Sequence, residues 1–307
     1  MATNLSLEVP GATIVYDVRG SLPADDGRPP LLMVGQPMDA GGFGTLASHF
    51  PDRTVVTYDP RGLGRSTRSD GSIINDPIVQ AEDLHRLVDA LGVGAVDLFA
   101  SSGGAVTSLA LVAAHPDDVR TLVAHEPPLF TLLPDATAAV VAERAVQEAY
   151  HARGWGAGMA QFIALTSWQG EYDDRYAAQP AADPAAFGLP TEDDGGRTDP
   201  LLSGVSNPVT AYRPDVAAVA AAPTRVVVAV GVESRETITG RTSAATADAL
   251  GLPLTEFPSH HGGFLGNEHG QGGEPEAFAA RLREVLDARP DSPVRKAPPG
   301  GRFRCQT

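Results

Sequence analysis

The stretch L-F-A-S-S-G-G-A-V-T, Leu98 to Thr107, decides the fold. A short apolar run, Val96 to Ala100, meets two serines and two glycines, and Gly104 to Ala114 then continues as a segment that is apolar nearly all round. A strand that enters a helix through small-x-Ser-x-small must turn sharply, because larger flanking side chains would collide where the backbone doubles back. In A-S-S-G-G the pattern runs from Ala100 to Gly104 and puts Ser102 at the apex, with Ser101 as the filler. Ala100 stands where a glycine is usual, and it is still small. A plain Ser-Gly link would show the same five residues. The buried-type strand before them and the buried-type helix after them favour the sharp turn.

The same alternation extends in both directions. L-S-L-E-V, A-T-I-V-Y-D-V and P-L-L-M-V are β-rich runs broken by Gly and Pro clusters. Arg53–Asp59, Val96–Ala100, Val119–His125 and Thr224–Val230 are compact apolar runs, as expected of parallel strands buried on both faces. Between them, Asn75-Asp76-Pro77 starts a helix with Leu84, Leu87, Val88 and Leu91 on one face, and Gly92 ends it. Phe278, Leu282, Val285 and Leu286 mark a last amphipathic helix. The rhythm predicts an α/β fold, a mostly parallel sheet with helices on both faces and ligands bound beyond the carboxyl ends of the strands.

Between Pro127 and about Pro223 the rhythm breaks. Asp135–Ala152 and Gly158–Trp168 read as helices, and the loop-like runs after them complete an inserted helical cap. The chain therefore divides into a first core part (1–127), the cap (128–222), a second core part (223–289) and a Pro-, Gly- and Arg-rich tail (290–307) expected to be disordered.

A chain of 307 residues, 42% hydrophobic, is long enough for one large α/β domain with an insertion. With 38 acidic against 23 basic residues and a formal charge of −15, it opposes polyanions, so neither nucleic acid nor an anionic membrane is an expected partner. Cys305 is the only cysteine and leaves no intrachain disulfide. No leader-like start or long apolar run is evident, and the expectation is a cytoplasmic protein. A homodimer stays open.

Taken together, the turn at V-G-Q-P (Val34–Pro37), the loop D-P-R-G-L-G-R-S (Asp59–Ser66), A-S-S-G-G and a late histidine resemble the α/β-hydrolase superfamily. The resemblance covers roughly Leu5 to Arg289 apart from the cap. It implies the α/β-hydrolase fold and a Ser, acid, His triad in that chain order, with no cofactor and no metal. No H-E-x-x-H or cysteine cluster argues for a metal, and His260, His261 and His269 alone are weak evidence for one.

A serine hydroxyl attacks at neutral pH only when a base takes its proton. The resemblance places that base after the last strand, Pro253–Pro258, where S-H-H-G-G-F offers His261 and, as competitor, His260. The acid is usual after Thr224–Val230, but there G-V-E-S puts Ser234 at the expected position and Glu233 one residue short. Glu126 in A-H-E-P-P, 24 residues beyond Ser102, is the preferred acid, an arrangement similar to that of some haloalkane dehalogenases. The nucleophile in those enzymes and in related epoxide hydrolases is Asp, so Ser102 argues against both activities. Of the other histidines, His125 neighbours the site, while His49, His85, His115 and His151 fall on helical segments.

The backbone N–H of Gly103 and the Gln36 position of V-G-Q-P are the oxyanion donors the resemblance implies. Val34 replaces the family's histidine there. Asp59 and Arg61 are expected to tie loops together, and Trp155, Phe162 and Trp168 to wall a substrate pocket or form the cap's own core. The expected function is a serine hydrolase acting on an ester, thioester or lactone of a small apolar or aromatic molecule. The alternatives are perhydrolase, carbon–carbon hydrolase or isomerase/cyclase chemistry on the same residues, or a non-catalytic ligand-binding protein.

Overall fold

The computed structural model describes residues 2–268, 270 and 272–288. The tail from 290 onward, Cys305 and His269 lie outside them.

The apolar runs become strands β1 (Ala2–Val9), β2 (Ala12–Arg19), β3 (Leu31–Val34), β4 (Val55–Asp59), β5 (Thr67–Arg68), β6 (Val96–Ser101), β7 (Val119–His125), β8 (Arg225–Gly231) and β9 (Leu254–Phe257). Their order in one sheet is β1-β2-β4-β3-β6-β7-β8-β9, with the two-residue β5 on β2. Strands β4 through β9 along that path are parallel, while β1, β2 and β5 pair antiparallel. Burial follows pairing. β2 alternates buried and half-buried residues, whereas β3, β4 and β6 are buried at every position, because helices cover both faces of the parallel part. The two residues of β5 are too few to leave a period in the sequence.

The helices are α1 (Gly44–Ser48), α2 (Pro77–Leu91), α3 (Gly103–Ala114), α4 (Ala136–Arg153), α5 (Trp155–Ser167), α6 (Asp174–Ala177), α7 (Asn207–Thr210), α8 (Val216–Ala221), α9 (Ile238–Leu250) and α10 (Pro275–Asp287). Helix α2 begins as its sequence requires: the Asp76 side chain accepts from the Ile78 N–H at 2.8 Å, Pro77 fills the first turn, and Gly92 ends it with φ +67°. Leu84, Leu87, Leu109 and Val112 pack on one face of the sheet, and Phe43, Phe50, Phe257 and Phe278 on the other. Burying each such side chain contributes about 1.5–3 kcal/mol.

Order reverses at β3, which has β4 on one side and β6 on the other. Such a switch point opens a crevice between the loops that leave the two central strands. Here those loops carry Gln36 and Ser102.

Helices α4 to α8 lie between β7 and β8, and Phe130, Leu133, Ala139, Val146, Tyr150 and Leu202 form a cluster of their own there. Helix α5 starts at Trp155, earlier than its apolar spacing indicated, directly after a turn at Gly154. No helix among the described residues is long and apolar enough to cross a membrane.

Candidate active site

Ser102 is the residue between β6 and α3, and its backbone is in an unusual place, with φ +58° and ψ −130°. A non-glycine residue held there costs about 1–3 kcal/mol and persists only where the surroundings determine it. They do so here: the Ser102 N–H donates to the His125 carbonyl at 2.9 Å, and its own carbonyl accepts from the Ala105 N–H at 2.9 Å. The glycines after it follow from crowding. A Cβ on Gly104 would lie 2.4 Å from the Val34 carbonyl oxygen, so α3 can start hard against the end of β3 only without one. Ser102 is half-buried, whereas Ser101 is buried with its Oγ 3.1 Å from Nδ1 of His125.

Glu126 follows the last residue of β7, with φ +51° and no exposed surface. Its N–H donates to the Ala229 carbonyl at 3.0 Å, which ties the turn to β8. The carboxylate is held on every side. Oε1 accepts from the Gly231 N–H at 2.8 Å, and Oε2 accepts from Thr239 Oγ1 at 2.5 Å and lies 2.7 Å from His261 Nδ1. Burial alone would raise its pKa, but the charge and hydrogen bond of His261, with smaller help from His125 and Thr239, hold it well below the usual carboxylate range.

His261 reaches this carboxylate from the loop after β9 while keeping 42% of its side chain exposed, so one edge of the ring faces outward. Its neighbour does not compete. His260 Nδ1 accepts from the Gly262 N–H at 3.0 Å and serves the turn. Gly231 allows the loop to lie across β8, since a Cβ there would be 2.6 Å from the Ser259 carbonyl oxygen. Glu233 is exposed. Of the two carboxylates considered from sequence, Glu126 meets the imidazole.

His125 is fully buried behind these groups, its ring 6.0 Å from that of His261. Burial pushes its pKa down to about 4. Nε2 is 3.8 Å from Glu126 Oε1 and has no hydrogen-bond partner among the described residues.

On the other side of the turn, Gln36 is buried, and neither atom of its side-chain amide has a partner among the described residues. Its backbone carbonyl accepts from the Gly103 N–H at 3.2 Å. Among the described residues no hydrogen bond joins Ser102 Oγ to His261.

Asp59 and Arg61 knit loops. Asp59 accepts from the N–H groups of Ala40 and Arg65, and Arg61 grips Asp83 with two nitrogens while reaching Asp70. Trp155, Phe162 and Trp168 pack against the cluster of the insertion, and the Trp168 indole donates to the Glu171 carbonyl at 2.9 Å.

Residues 35–151 match the family model of the alpha/beta hydrolase fold. Across nearly the whole chain the structure resembles MGS-M2, an alpha/beta hydrolase from a deep-sea metagenome of the Medee basin, with a TM-score of 0.64 at 15% identity, covering 94% of this chain and 100% of that one. The chain has the α/β-hydrolase fold. The structure also resembles a thermophilic esterase of Thermogutta terrifontis, with a TM-score of 0.57 at 19% identity over 93% of this chain and 98% of that one. At such identities the likeness is one of fold. In sequence, 131 residues are 40% identical to an uncharacterised hydrolase, YraK, of Bacillus subtilis (strain 168), covering 42% of this chain and 46% of the relative. The match thus spans about half the length of that relative.

Thr239 and the Gly231 N–H, which hold Glu126, carry no sign in the sequence. They lie 113 and 105 residues from it, and only the packing of α9 against β8 brings them close. The Ser101–His125 contact follows from the parallel pairing of β6 and β7, which sets these two residues side by side.

Proposed function

We propose that this α/β hydrolase is a serine hydrolase that cleaves an ester, thioester or lactone of a small apolar or aromatic molecule through an acyl-enzyme. Ser102 Oγ attacks the carbonyl while the outward nitrogen of His261 takes its proton; the bond to the leaving group breaks and that proton passes to the departing oxygen or sulfur. Water, deprotonated by the same ring, then releases the acid. The observation that carries this reading is the 2.7 Å contact between His261 Nδ1 and a fully buried Glu126 carboxylate, made one strand away from a serine with φ +58°. A carboxylate so held fixes the tautomer that leaves Nε2 free to accept a proton, and it stabilises the imidazolium that forms.

The Gly103 N–H at the start of α3, with the backbone N–H of Gln36, supplies the oxyanion donors in this reading. The emerging oxyanion must displace the Gln36 carbonyl from the Gly103 N–H, and a 3.2 Å bond is long enough to be given up. The helical insertion acts as a cap over the strand ends. Its own aromatic cluster gives it a stable body, so substrate choice falls to the residues it turns toward Ser102.

A fluorophosphonate probe tests the reading. It should label the unaltered chain at Ser102, and Ser102→Ala should lose both the label and at least about a thousandfold of the hydrolysis rate on a p-nitrophenyl ester. Labelling that survives Ser102→Ala would refute it.

A further inference from the structure

At the opposite edge of the sheet from Ser102, two histidines and three carboxylates meet. Glu82, His85 and Asp89 lie on one face of α2 at helical spacing. Facing them, the turn His115-Pro116-Asp117-Asp118 ends α3 and is closed by the Asp118 N–H on the His115 carbonyl at 3.2 Å. The two imidazoles are stacked, with ring centres 3.7 Å apart and planes 7° from parallel. His85 Nδ1 is 2.7 Å from Asp118 Oδ2, its Nε2 is 3.7 Å from Asp89 Oδ2, and His115 Nε2 is 2.7 Å from Glu82 Oε1.

We propose that His85, His115 and Asp118 bind a divalent transition-metal ion of the Zn2+ class. One ligand atom from each lies within 4.8 Å of the others, near enough to close around one ion with bonds of about 2.0–2.2 Å after side-chain rotation. An N2O donor set suits Zn2+, Ni2+ or Cu2+ and does not suit Mg2+ or Ca2+, which take oxygen. Glu82 completes the arrangement. By accepting from Nε2–H of His115 it fixes the tautomer whose Nδ1 carries the lone pair, the part that a carboxylate behind a metal-bound histidine performs. An open cleft lined by Asp89, Asp117 and Asp118 adjoins the cluster and gives a cation a negatively charged way in. The stack must open on binding, because a metal lies in the plane of each imidazole that holds it. Both rings are about a quarter exposed, which leaves them room to tilt. Sequence spacing hides the site, since its ligands sit on α2 and on the turn after α3, some 30 residues apart. The twelve residues of α3 put it about 18 Å from Ser102, so it clamps α2 to the end of α3 and takes no part in the proposed hydrolysis.

Calorimetric titration of Zn2+ into the full, tag-free chain at neutral pH tests this. One ion per chain is expected. Glu82→Gln should weaken binding about 10- to 100-fold, and the double change His85→Asn with His115→Asn should abolish it. No binding, or equal binding by the double variant, overturns the proposal. Should that variant not fold, Asp118→Asn keeps the turn and should weaken binding at least tenfold; unchanged affinity counts against the site. On the unaltered chain, histidine ring NMR signals of His85 and His115 should shift at substoichiometric Zn2+ before that of His261, and the reverse order contradicts the assignment.

Discussion

The carboxyl edge of the sheet and the helical insertion between β7 and β8 are held in different ways. At the sheet edge, single groups are pinned: Ser102 and Glu126 both have positive φ, and the Glu126 carboxylate is gripped by a backbone N–H, a hydroxyl and an imidazole. In the insertion, apolar side chains share a diffuse cluster around Tyr150 and Leu202, and the run from about 171 to 197 is largely exposed. The first region tolerates little change of position, and the second tolerates change of residue. Their buried ionisable groups differ too. Burial lowers His125 to about 4 at the sheet edge and raises Glu143 to about 7 in the insertion, where its carboxyl accepts a hydrogen bond from Thr210 Oγ1 at 2.9 Å. Each group resists its charged form, and because one is a base and the other an acid, their effects on stability run in opposite directions with pH.

The largest expected effect sharpens the contrast within the sheet edge itself. Glu126→Gln should lower kcat/KM on a p-nitrophenyl ester by about 10^3- to 10^4-fold, while Glu233→Gln, altering an exposed residue, should leave it within about twofold. Next comes acid stability. The unfolded chain binds a proton at His125 near 6.5, and the folded chain does so near 4, so stability should rise with pH between those values by on the order of 3 kcal/mol. Urea unfolding at pH 4.5 and 6.5 measures this, and His125→Phe should flatten the slope. In the insertion the sign reverses. Glu143 is neutral in the folded chain up to about 7 against 4.5 unfolded, so its contribution is complete below 4.5 and lost as pH rises through 7. Limited proteolysis of the insertion should therefore quicken from pH 5 to 8, and Glu143→Gln should remove that dependence. Gly104→Ala drives a Cβ toward the Val34 carbonyl and should cost about 1–3 kcal/mol in unfolding free energy. The smallest effect is Thr239→Val, which removes one of three groups on Glu126 and should slow hydrolysis about tenfold without loss of Ser102 labelling.

The same contrast explains what the sequence made legible. A mostly parallel sheet could be argued because compact apolar runs alternate with amphipathic helices, and the Ser102 turn because its determinants are five consecutive residues. Glu126 and His261 could be placed at strand ends, since a residue just past a parallel strand emerges on the carboxyl edge whatever follows it. What decides between His261 and His260 is not in their neighbourhood: Ser259, with φ +66°, and Gly231 beneath the loop turn one ring to Glu126 and leave the other to cap a turn. Thr239, the Gln36 carbonyl on Gly103 and the stacked pair His85 and His115 depend on contacts between distant elements. No local pattern announces them. The N-terminus of α5 was hidden for another reason, because G-W-G-A-G is poor helix-forming sequence that the packing of α4 against α5 overrides.

The cooperation of Ser102 with His261 is tested most directly by a double-mutant cycle. Rates of p-nitrophenyl ester hydrolysis are compared for the unaltered chain, Ser102→Ala, His261→Gln and the two together. Groups that act as one unit fail together, so each single change should cost nearly as much as the pair, about 10^3-fold or more. Costs that multiply, with the double variant slower by the product of the two, would mean that the serine and the imidazole act apart.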